Sequence, residues 1–280
     1  MRETLKKFRE SLRPLYGDRE AEAIIRIVFH HLKGWDTTQM LIHGEDQLSP
    51  FIKEEANKIL NRLLEHEPVQ YITGEARFHG MEFKVAPGVL IPRPETEELV
   101  DIIVKEAGDK EDLEILDIGT GSGCIAITLA RALKFPHISA IDISDAALKI
   151  AEENNRKLKT KVKFDKQDIF TLKTGKKFDI IVSNPPYIDE SEKKDMDPNV
   201  TLYEPQEALF VSDKDPLIYY THITQIAVDS LNPGGRLYFE INPRHADEIK
   251  ALLEEKGFKG VEIIRDSFGK LRFVTGELGK

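Results

Sequence analysis

Apolar residues in the first quarter of the chain recur at the spacing of an α-helix. Between residues 21 and 32 they fall three and four positions apart, on one helical face. They are Ala21, Ile24, Ile25, Val28, Phe29 and Leu32. Gly34 can end this helix, and a further helix is predicted after Ser49 and Pro50, which suit an N-cap and a first turn. We therefore predict a small helical domain over residues 1–74.

Between residues 75 and 90 the pattern changes to short alternating runs. Ala76–Phe78 and Glu82–Val85 alternate between apolar and polar positions on either side of a turn that contains Gly80. Two such runs around a short turn predict a β-hairpin. We expect this hairpin, residues 75–90, to link the helical domain to the rest of the chain.

From residue 91 onward, strand-like and helix-like runs alternate, which predicts an α/β fold whose mainly parallel sheet is covered by helices. Strands are predicted at 113–118, 137–142, 161–166, 178–183, 235–241, 261–265 and 271–276. Helices are predicted at 95–107, 122–133, 145–157, 214–231 and 245–256. The last two strands are joined by a loop too short for a parallel crossover, so one strand should be reversed. Residues 91–280 are thus predicted to form a seven-stranded domain.

The composition indicates the class of protein, its cellular location and the partners to expect. The chain has 280 residues, of which 40% are hydrophobic and 32% charged, as in ordinary globular proteins. A single cysteine excludes internal disulfides and favours the reducing cytoplasm. No apolar stretch has the length of a signal peptide core or a membrane span, so no membrane association is expected. The net charge of −9, without a basic arm, argues against stable nucleic-acid binding.

A glycine-rich loop follows the strand predicted at 113–118. It reads Gly119, Thr120, Gly121, Ser122 and Gly123, and a helix comes next. Glycine lets the backbone turn sharply and approach a ligand closely. Because open α/β sheets bind small molecules beyond the carboxyl ends of their strands, the loop predicts a cofactor site. A tight turn without a ligand is the alternative.

Acidic residues end the next two predicted strands. Asp142 follows the strand after the loop, where a carboxylate can accept hydrogen bonds from both hydroxyls of a ribose. Asp168 offers an acceptor for the amino group of an adenine, and Ile169 and Phe170, which follow it, offer an apolar wall for the ring. These features fit NAD and S-adenosylmethionine equally well. Both carboxylates could instead be solvated strand ends.

The choice between NAD and S-adenosylmethionine depends on the tetrapeptide Asn184, Pro185, Pro186 and Tyr187. Proline has no N–H to donate, so the sheet must stop here, leaving an amide, backbone carbonyls and an aromatic ring at its edge. Such a set suits a planar NH2 group. A dehydrogenase would need a proton-transfer group such as His or Lys near the nicotinamide. Methyl transfer to a held amide nitrogen depends mainly on orientation, so this tetrapeptide favours S-adenosylmethionine.

Together these residues resemble the HemK/PrmC family, the protein-(glutamine-N5) methyltransferases that modify peptide chain release factors in translation termination. The matching segments are the glycine loop, Asn184–Ile188, Pro68–Gly74, Val89–Glu97, Glu204–Leu209 and Asp266–Arg272. Asn-Pro-Pro-Tyr also occurs in adenine-N6 methyltransferases, but its combination with Ile91–Glu97 is specific to this family. The resemblance implies a class I S-adenosylmethionine-dependent methyltransferase fold and an N-terminal helical domain that recognises the release factor.

The resemblance also implies roles for individual residues. The S-adenosylmethionine site would comprise Arg93, Gly119, Thr120, Gly121, Ser122, Gly123, Asp142, Asp168, Ile169, Phe170 and Asn184. Asn184 and the Pro185 carbonyl would hold the glutamine amide of a Gly-Gly-Gln motif, beside Pro186 and with Tyr187 against it. Arg93 would lie near the cofactor carboxylate or the domain junction, or form an ion pair with Glu95 or Glu97. No metal is expected.

Two other functions remain open at this point. An adenine-N6 methyltransferase acting on DNA or RNA would share the grip on a planar NH2 group, although the acidic charge disfavours it. A non-catalytic adaptor that binds S-adenosylmethionine would keep the cofactor loop, but it would not need an intact Asn184. We expect the protein to act as a monomer.

Overall fold

The structure is a computed structural model, and it describes residues 1–279. These residues form two compact units. One contains Met1–Glu75 and Asp197–Tyr203, and the other contains Ala76–Met196 and the described residues from Glu204 onward. The domain boundaries at residues 74 and 90 remain predictions. In the described part of the chain, no helix combines the length and the apolar character that crossing a membrane requires.

Eleven α-helices and eleven strands make up the described chain. The helices are α1 Arg2–Lys33, α2 Thr37–Ile42, α3 Pro50–Leu64, α4 Val69–Thr73, α5 Pro94–Ala107, α6 Cys124–Ala132, α7 Asp145–Lys157, α8 Pro198–Tyr203, α9 Gln206–Leu209, α10 Ile218–Ser230 and α11 Ala246–Glu255. The strands are β1 Glu75–Phe78, β2 Met81–Lys84, β3 Glu114–Ile118, β4 His137–Asp142, β5 Lys163–Lys166, β6 Phe178–Ser183, β7 Ile188–Asp189, β8 Phe210–Val211, β9 Leu231–Glu240, β10 Phe258–Arg265 and β11 Leu271–Leu278. Two 3-10 helices span Glu190–Asp195 and Pro243–His245.

The first unit is a helical bundle with its own apolar core. α1 ends at Gly34, whose left-handed backbone (φ 69°) lets its N–H bond back to the His30 carbonyl. Ser49 caps α3, since its hydroxyl accepts a hydrogen bond from the Ile52 N–H at 3.3 Å. α1 also has a non-helical residue within it, Gly17. The buried core contains Leu5, Phe8, Leu12, Ile25, Val28, Phe29, Leu60 and Leu63.

The second unit contains a seven-stranded sheet in the order β10-β11-β9-β6-β3-β4-β5. β6, β3, β4, β5 and β9 pair in parallel, whereas β11 runs antiparallel to both of its neighbours. The predicted mostly parallel sheet with one reversed strand is therefore confirmed. The reversed strand lies inside the sheet, between β9 and β10. β1 and β2 form a separate two-stranded sheet.

Successive side chains of each strand point to opposite faces of the sheet, so each face has its own core. Ile115 of β3 packs in a cluster with residues of α5 and α6. Leu116 and Ile118 pack in a second cluster with residues of α10 and α11. Helices thus cover both faces, and only the strand ends remain for a site.

The structure differs from the predicted elements at several boundaries. β9 begins at Leu231 rather than 235, because a register shift opposite β6 accommodates the intervening Pro-Gly-Gly stretch. α10 begins at Ile218 rather than 214, and β10 begins at Phe258 rather than 261. β7 and β8 pair in parallel but were not predicted. Two-residue strands are too short for a periodicity to reveal them.

Candidate active site

A cavity of about 290 Å³ lies at the carboxyl ends of β3, β4 and β6. Twelve of the residues predicted to form the site line this cavity. They are Arg93, Gly119, Thr120, Gly121, Ser122, Asp142, Asp168, Ile169, Phe170, Asn184, Pro185 and Pro186. Gly123 and Tyr187 are not among the lining residues. The structure thus brings the two predicted halves of the site, the glycine loop and the tetrapeptide, to one cavity.

The glycine loop is fixed by backbone hydrogen bonds from Gly119 and Thr120 to the Ile141 carbonyl, at 2.9 and 3.0 Å. A Cβ built on Gly119 or Gly121 would meet no protein atom within 4 Å, so the space beside the loop is open. Gly123 differs, because its Cβ would lie 3.2 Å from the Ala151 Cβ. Gly123 therefore permits close packing behind the loop instead of facing the cavity.

The Asp142 carboxylate lies beside this loop and is held by two backbone groups. Its Oδ2 accepts a hydrogen bond from the Gly121 N–H at 2.9 Å. Its Oδ1 accepts one from the Ser144 N–H, also at 2.9 Å. A carboxylate offers about four acceptor positions, so each oxygen keeps one for a ligand hydroxyl. This arrangement fits the two hydroxyls of a ribose.

An aromatic wall follows Asp168. The Asp168 Oδ1 accepts a hydrogen bond from the Phe170 N–H at 2.9 Å, which fixes the turn after β5. The Phe170 ring packs against Tyr219 and His222, with centroid distances of 5.7 and 4.8 Å. An acceptor next to an aromatic surface suits an adenine ring. The open loop, the ribose acceptors and this wall together fit S-adenosylmethionine.

Two titratable groups lie beneath the loop. Burial raises the pKa of the Asp117 carboxyl to about 7, and its Oδ2 accepts a hydrogen bond from the Thr120 hydroxyl at 2.7 Å. Burial also raises the pKa of the Cys124 thiol to about 12. Because the thiolate is the reactive form, Cys124 is unsuited to act as a nucleophile at neutral pH.

The tetrapeptide is connected to β9 through a chain of hydrogen bonds. The Asn184 Nδ2 donates to the Thr96 Oγ1 at 3.3 Å, and the Thr96 hydroxyl donates to the Glu240 Oε2 at 2.7 Å. From the other side, the Tyr187 hydroxyl donates to the Glu240 Oε1 at 3.0 Å. Tyr187 is absent from the cavity lining, and its hydroxyl is directed to Glu240. Its carbonyl accepts a further hydrogen bond from Asn242, at 3.1 Å.

Glu240 is the buried acceptor of this chain. Its residue is only 1% exposed, at the end of β9. Burial raises the pKa of its carboxyl, while the hydrogen bonds from Thr96 and Tyr187 and the positive charge of Arg272 act in the opposite direction. Burial raises the pKa of the Tyr187 phenol as well, and the nearby Glu240 charge adds to that rise. The phenol therefore remains protonated and able to donate.

Arg93 lines the cavity as an ion pair with a residue that the sequence did not suggest. Its Nη2 lies 2.5 Å from the Glu204 Oε1, so it pairs with neither Glu95 nor Glu97. The second Glu204 oxygen accepts a hydrogen bond from the Ile91 N–H at 3.1 Å. Glu204 thereby fastens the segment around Arg93 at the cavity wall.

Comparison with known proteins decides the family. The PrmC N-terminal domain matches residues 3–74, and the Methyltransferase small domain matches residues 94–203. The Release factor glutamine methyltransferase of Bacteroides thetaiotaomicron is 46% identical over 269 residues, which cover 95% of this chain and 96% of that protein. The protein of the same name from Flavobacterium psychrophilum is 41% identical over 275 residues, covering 96% and 95%. This chain belongs to the release factor glutamine methyltransferase family.

Membership in the family confirms the predicted enzyme class and S-adenosylmethionine as the methyl donor. A solved structure supports the fold independently. The crystal structure of a methyltransferase from Pyrococcus furiosus matches with a TM-score of 0.55 and 19% identity, covering 80% of this chain and 100% of that one. At this identity the likeness shows the fold alone.

Three residues of the site were missed by reasoning from the sequence alone. Thr96 and Glu204 lie within segments that carry the family resemblance, but nothing in their local pattern predicts what they bind. Glu240 had a usable signal, because an acidic residue at the end of the apolar run Leu237–Phe239 must find a buried partner. Among residues 1–279, no cluster of three or more His, Cys, Asp or Glu could hold a metal ion.

Proposed function

We propose that this protein transfers the methyl group of S-adenosylmethionine to the side-chain amide nitrogen of the glutamine in the Gly-Gly-Gln motif of a peptide chain release factor. The observation that carries the proposal is the position of Asn184 and Pro185, which line the same cavity as the glycine loop. Relatives that match nearly the whole chain are named for glutamine methylation of release factors, which supports the same substrate.

When bound, S-adenosylmethionine supplies a methyl group on a positively charged sulfur. An amide nitrogen is a poor nucleophile because its lone pair is delocalised. Acceptors for both of its N–H bonds orient it and disperse the positive charge that develops as the methyl arrives. Within residues 1–279 the structure records no hydrogen bond to the Asn184 Oδ1 or the Pro185 carbonyl. Both oxygens are therefore available to the glutamine NH2.

The other lining residues hold the cofactor in this proposal. Asp142 accepts hydrogen bonds from the ribose hydroxyls, since each of its oxygens keeps one acceptor position. Asp168 and Phe170 bind the adenine, and Gly119 and Gly121 let the backbone approach it closely.

The proposed enzyme has a recognition surface for its partner, a cellular location and an oligomeric state. We place the release-factor recognition surface on the helical residues 1–74, which match the PrmC N-terminal domain. The single cysteine supports a reducing, cytoplasmic location. The net charge of −9 supports a protein partner and disfavours stable binding of nucleic acid. We propose that the enzyme acts as a monomer.

Labelled S-adenosylmethionine and a purified release factor test the proposal. The expected product carries one methyl group on the Gly-Gly-Gln glutamine, as located by peptide mass spectrometry. A release factor with that glutamine changed to alanine should remain unlabelled. Absence of label on the natural factor would refute the proposal, and salt-sensitive methylation of adenine in duplex DNA would favour the adenine-N6 alternative.

Asn184→Ala tests the site directly. Loss of one preorganised hydrogen-bonding group at a reacting centre lowers kcat by about 100-fold, so we expect a loss of that size. The dissociation constant for S-adenosylmethionine should stay within about 3-fold, because the acceptors Asp142, at the end of β4, and Asp168, after β5, are intact. Gln225→Ala removes an amide at an exposed position of α10, outside residues 1–74 and outside the cavity lining, and is the matched control. Unchanged kcat in Asn184→Ala would remove Asn184 from the mechanism.

A further inference from the structure

The orientation of the Asn184 amide is set by groups outside the tetrapeptide. We propose that Thr96 and Glu240 are positioning residues that fix which end of the Asn184 side chain faces the cavity. The inference rests on the proposed function, because it concerns the atom that receives the substrate amide. It adds a role for two buried residues that lie on different elements, α5 and β9.

The direction of each hydrogen bond follows from donor chemistry. An ionised carboxylate can only accept, so the Thr96 hydroxyl must give its one proton to the Glu240 Oε2, which lies 2.7 Å away. The Thr96 oxygen then has only lone pairs left for Asn184. It can receive the Asn184 NH2 group but not the Asn184 carbonyl oxygen. The structure has this direction, since the Asn184 Nδ2 donates to the Thr96 Oγ1 at 3.3 Å.

This polarity matters because the two ends of an amide have nearly the same shape. Rotation by a half turn would exchange the acceptor and the donor at almost no steric cost. The rotated Asn184 would present NH2 to the NH2 of a bound glutamine, and two donors cannot bond to each other. With the polarity fixed, Oδ1 faces away from Thr96 and is free to accept.

Burial makes the arrangement stiff. Thr96 is 2% exposed and Glu240 is 1% exposed, so water does not compete for either group. The Tyr187 hydroxyl occupies the other Glu240 oxygen at 3.0 Å, which prevents the carboxylate from turning away. Burial raises the pKa of the Glu240 carboxyl, and the two donors act against that rise because they favour the ionised form, which can only accept. Tyr187 therefore contributes through Glu240, although it does not line the cavity.

The test compares two variants at position 96. Thr96→Val keeps the shape and removes the hydroxyl, whereas Thr96→Ser keeps the hydroxyl and removes a methyl group. We expect kcat to fall about 10-fold in Thr96→Val, the equivalent of one lost hydrogen bond. Thr96→Ser should retain at least about a third of the wild-type kcat. A residue that only packs would give the opposite order, because valine preserves packing better than serine.

Controls separate positioning from folding and from cofactor binding. Thr224→Val is matched, since Thr224 is fully buried and its hydroxyl has no hydrogen-bond partner among residues 1–279. It should leave kcat unchanged. The melting temperature and the dissociation constant for S-adenosylhomocysteine are measured for each variant. In Thr96→Val the dissociation constant should stay near wild type, whereas the melting temperature should fall because the buried Glu240 carboxylate loses a hydrogen bond.

Glu240→Gln gives an independent readout. A glutamine can donate to the Thr96 oxygen, which turns the Thr96 proton towards Asn184 and favours the rotated amide, so kcat should fall. In the wild-type enzyme, protonation of Glu240 has the same effect, and kcat should decline as the pH falls. The titratable and charged groups that face this carboxylate include Tyr187, Tyr220, Arg272, Glu95 and Cys124. The acid decline should be absent in Glu240→Gln.

The outcomes distinguish this inference from the proposed function. If wild-type enzyme fails to methylate the release factor, the proposed function is wrong. If the wild-type enzyme is active but Thr96→Val has full kcat, or Thr96→Ser is the more impaired variant, the positioning role is wrong. Persistence of the same acid decline in Glu240→Gln would also overturn it.

Discussion

Two glycines of the cofactor loop should respond to alanine in opposite ways. Gly121 and Gly123 both have positive φ, at 56° and 80°, so an alanine at either costs about 1 kcal/mol of backbone strain. At Gly121 the added Cβ meets no atom within 4 Å. At Gly123 it would lie 3.0 Å from the Ile127 Cδ1 and 3.2 Å from the Ala151 Cβ. The Ile127 methyl group can rotate away, but the Ala151 Cβ is fixed to α7.

The expected sizes follow from these contacts. Forcing an extra carbon into a packed site costs about 1–3 kcal/mol, so Gly123→Ala should lose about 2–4 kcal/mol in total. Gly121→Ala should lose only about 1 kcal/mol. For a unit of this size each kcal/mol corresponds to about 2–4 °C in Tm. Gly123→Ala should therefore melt about 5–10 °C lower than wild type, and Gly121→Ala about 3 °C lower.

Thermal unfolding by circular dichroism and calorimetry with S-adenosylhomocysteine measure the two effects. Gly121→Ala fills the open side of the loop, so its affinity for S-adenosylhomocysteine should fall at least about 10-fold. Gly123→Ala should bind within about 3-fold of wild type while folded. Gly175→Ala is the control, because its φ is not positive and nothing lies within 4 Å of the added atom. Equal melting temperatures for the Gly121 and Gly123 variants would refute the packing argument.

Two further predictions concern ion pairs that involve a buried carboxylate, Glu204 or Asp189. Glu204→Ala leaves the Arg93 guanidinium without its partner and should lower the unfolding free energy by about 2 kcal/mol, with a smaller loss for Glu204→Gln; equal losses in chemical denaturation would contradict this. Hydrogen bonds to Glu248 and Asp189 outweigh burial and raise the pKa of His245. Its stabilising effect is therefore complete below the unfolded pKa of about 6.5 and is lost as the pH rises through the folded value, a decline that His245→Gln should abolish in pH-dependent unfolding.

The elements of the fold were predictable because their signals are local. Strand alternation, helical spacing and the cap at Ser49 each depend on residues that lie close together in the sequence. The short loop after β10 was enough to predict a reversed strand. The position of this strand between β9 and β10 was not predictable, because strand order depends on tertiary packing and not on local sequence.

The residues of the site that face the ligand were predictable from motifs. The residues that bond to each other across long sequence distances were not. The pattern Gly-x-Gly-x-Gly does not distinguish a glycine that faces a cavity from one, such as Gly123, that packs against a helix. Arg93 and Glu204 are separated by 111 positions, and Thr96 and Glu240 by 144. No local pattern carries information about such pairs, because tertiary packing alone brings them together.

The position of β11 has a consequence for how the protein is made. β11 follows β10 in the chain, yet β10 reaches the sheet only through β11. Until Leu271–Leu278 has been synthesised, the outer edge of β9 stays unpaired and β10 has no neighbour. Glu240 pairs with Phe273 of β11, so the backbone around Glu240 can reach its final pairing only after β11 has been synthesised. The catalytic unit should therefore complete its fold after translation of that strand, and a chain cut before it should expose an aggregation-prone edge.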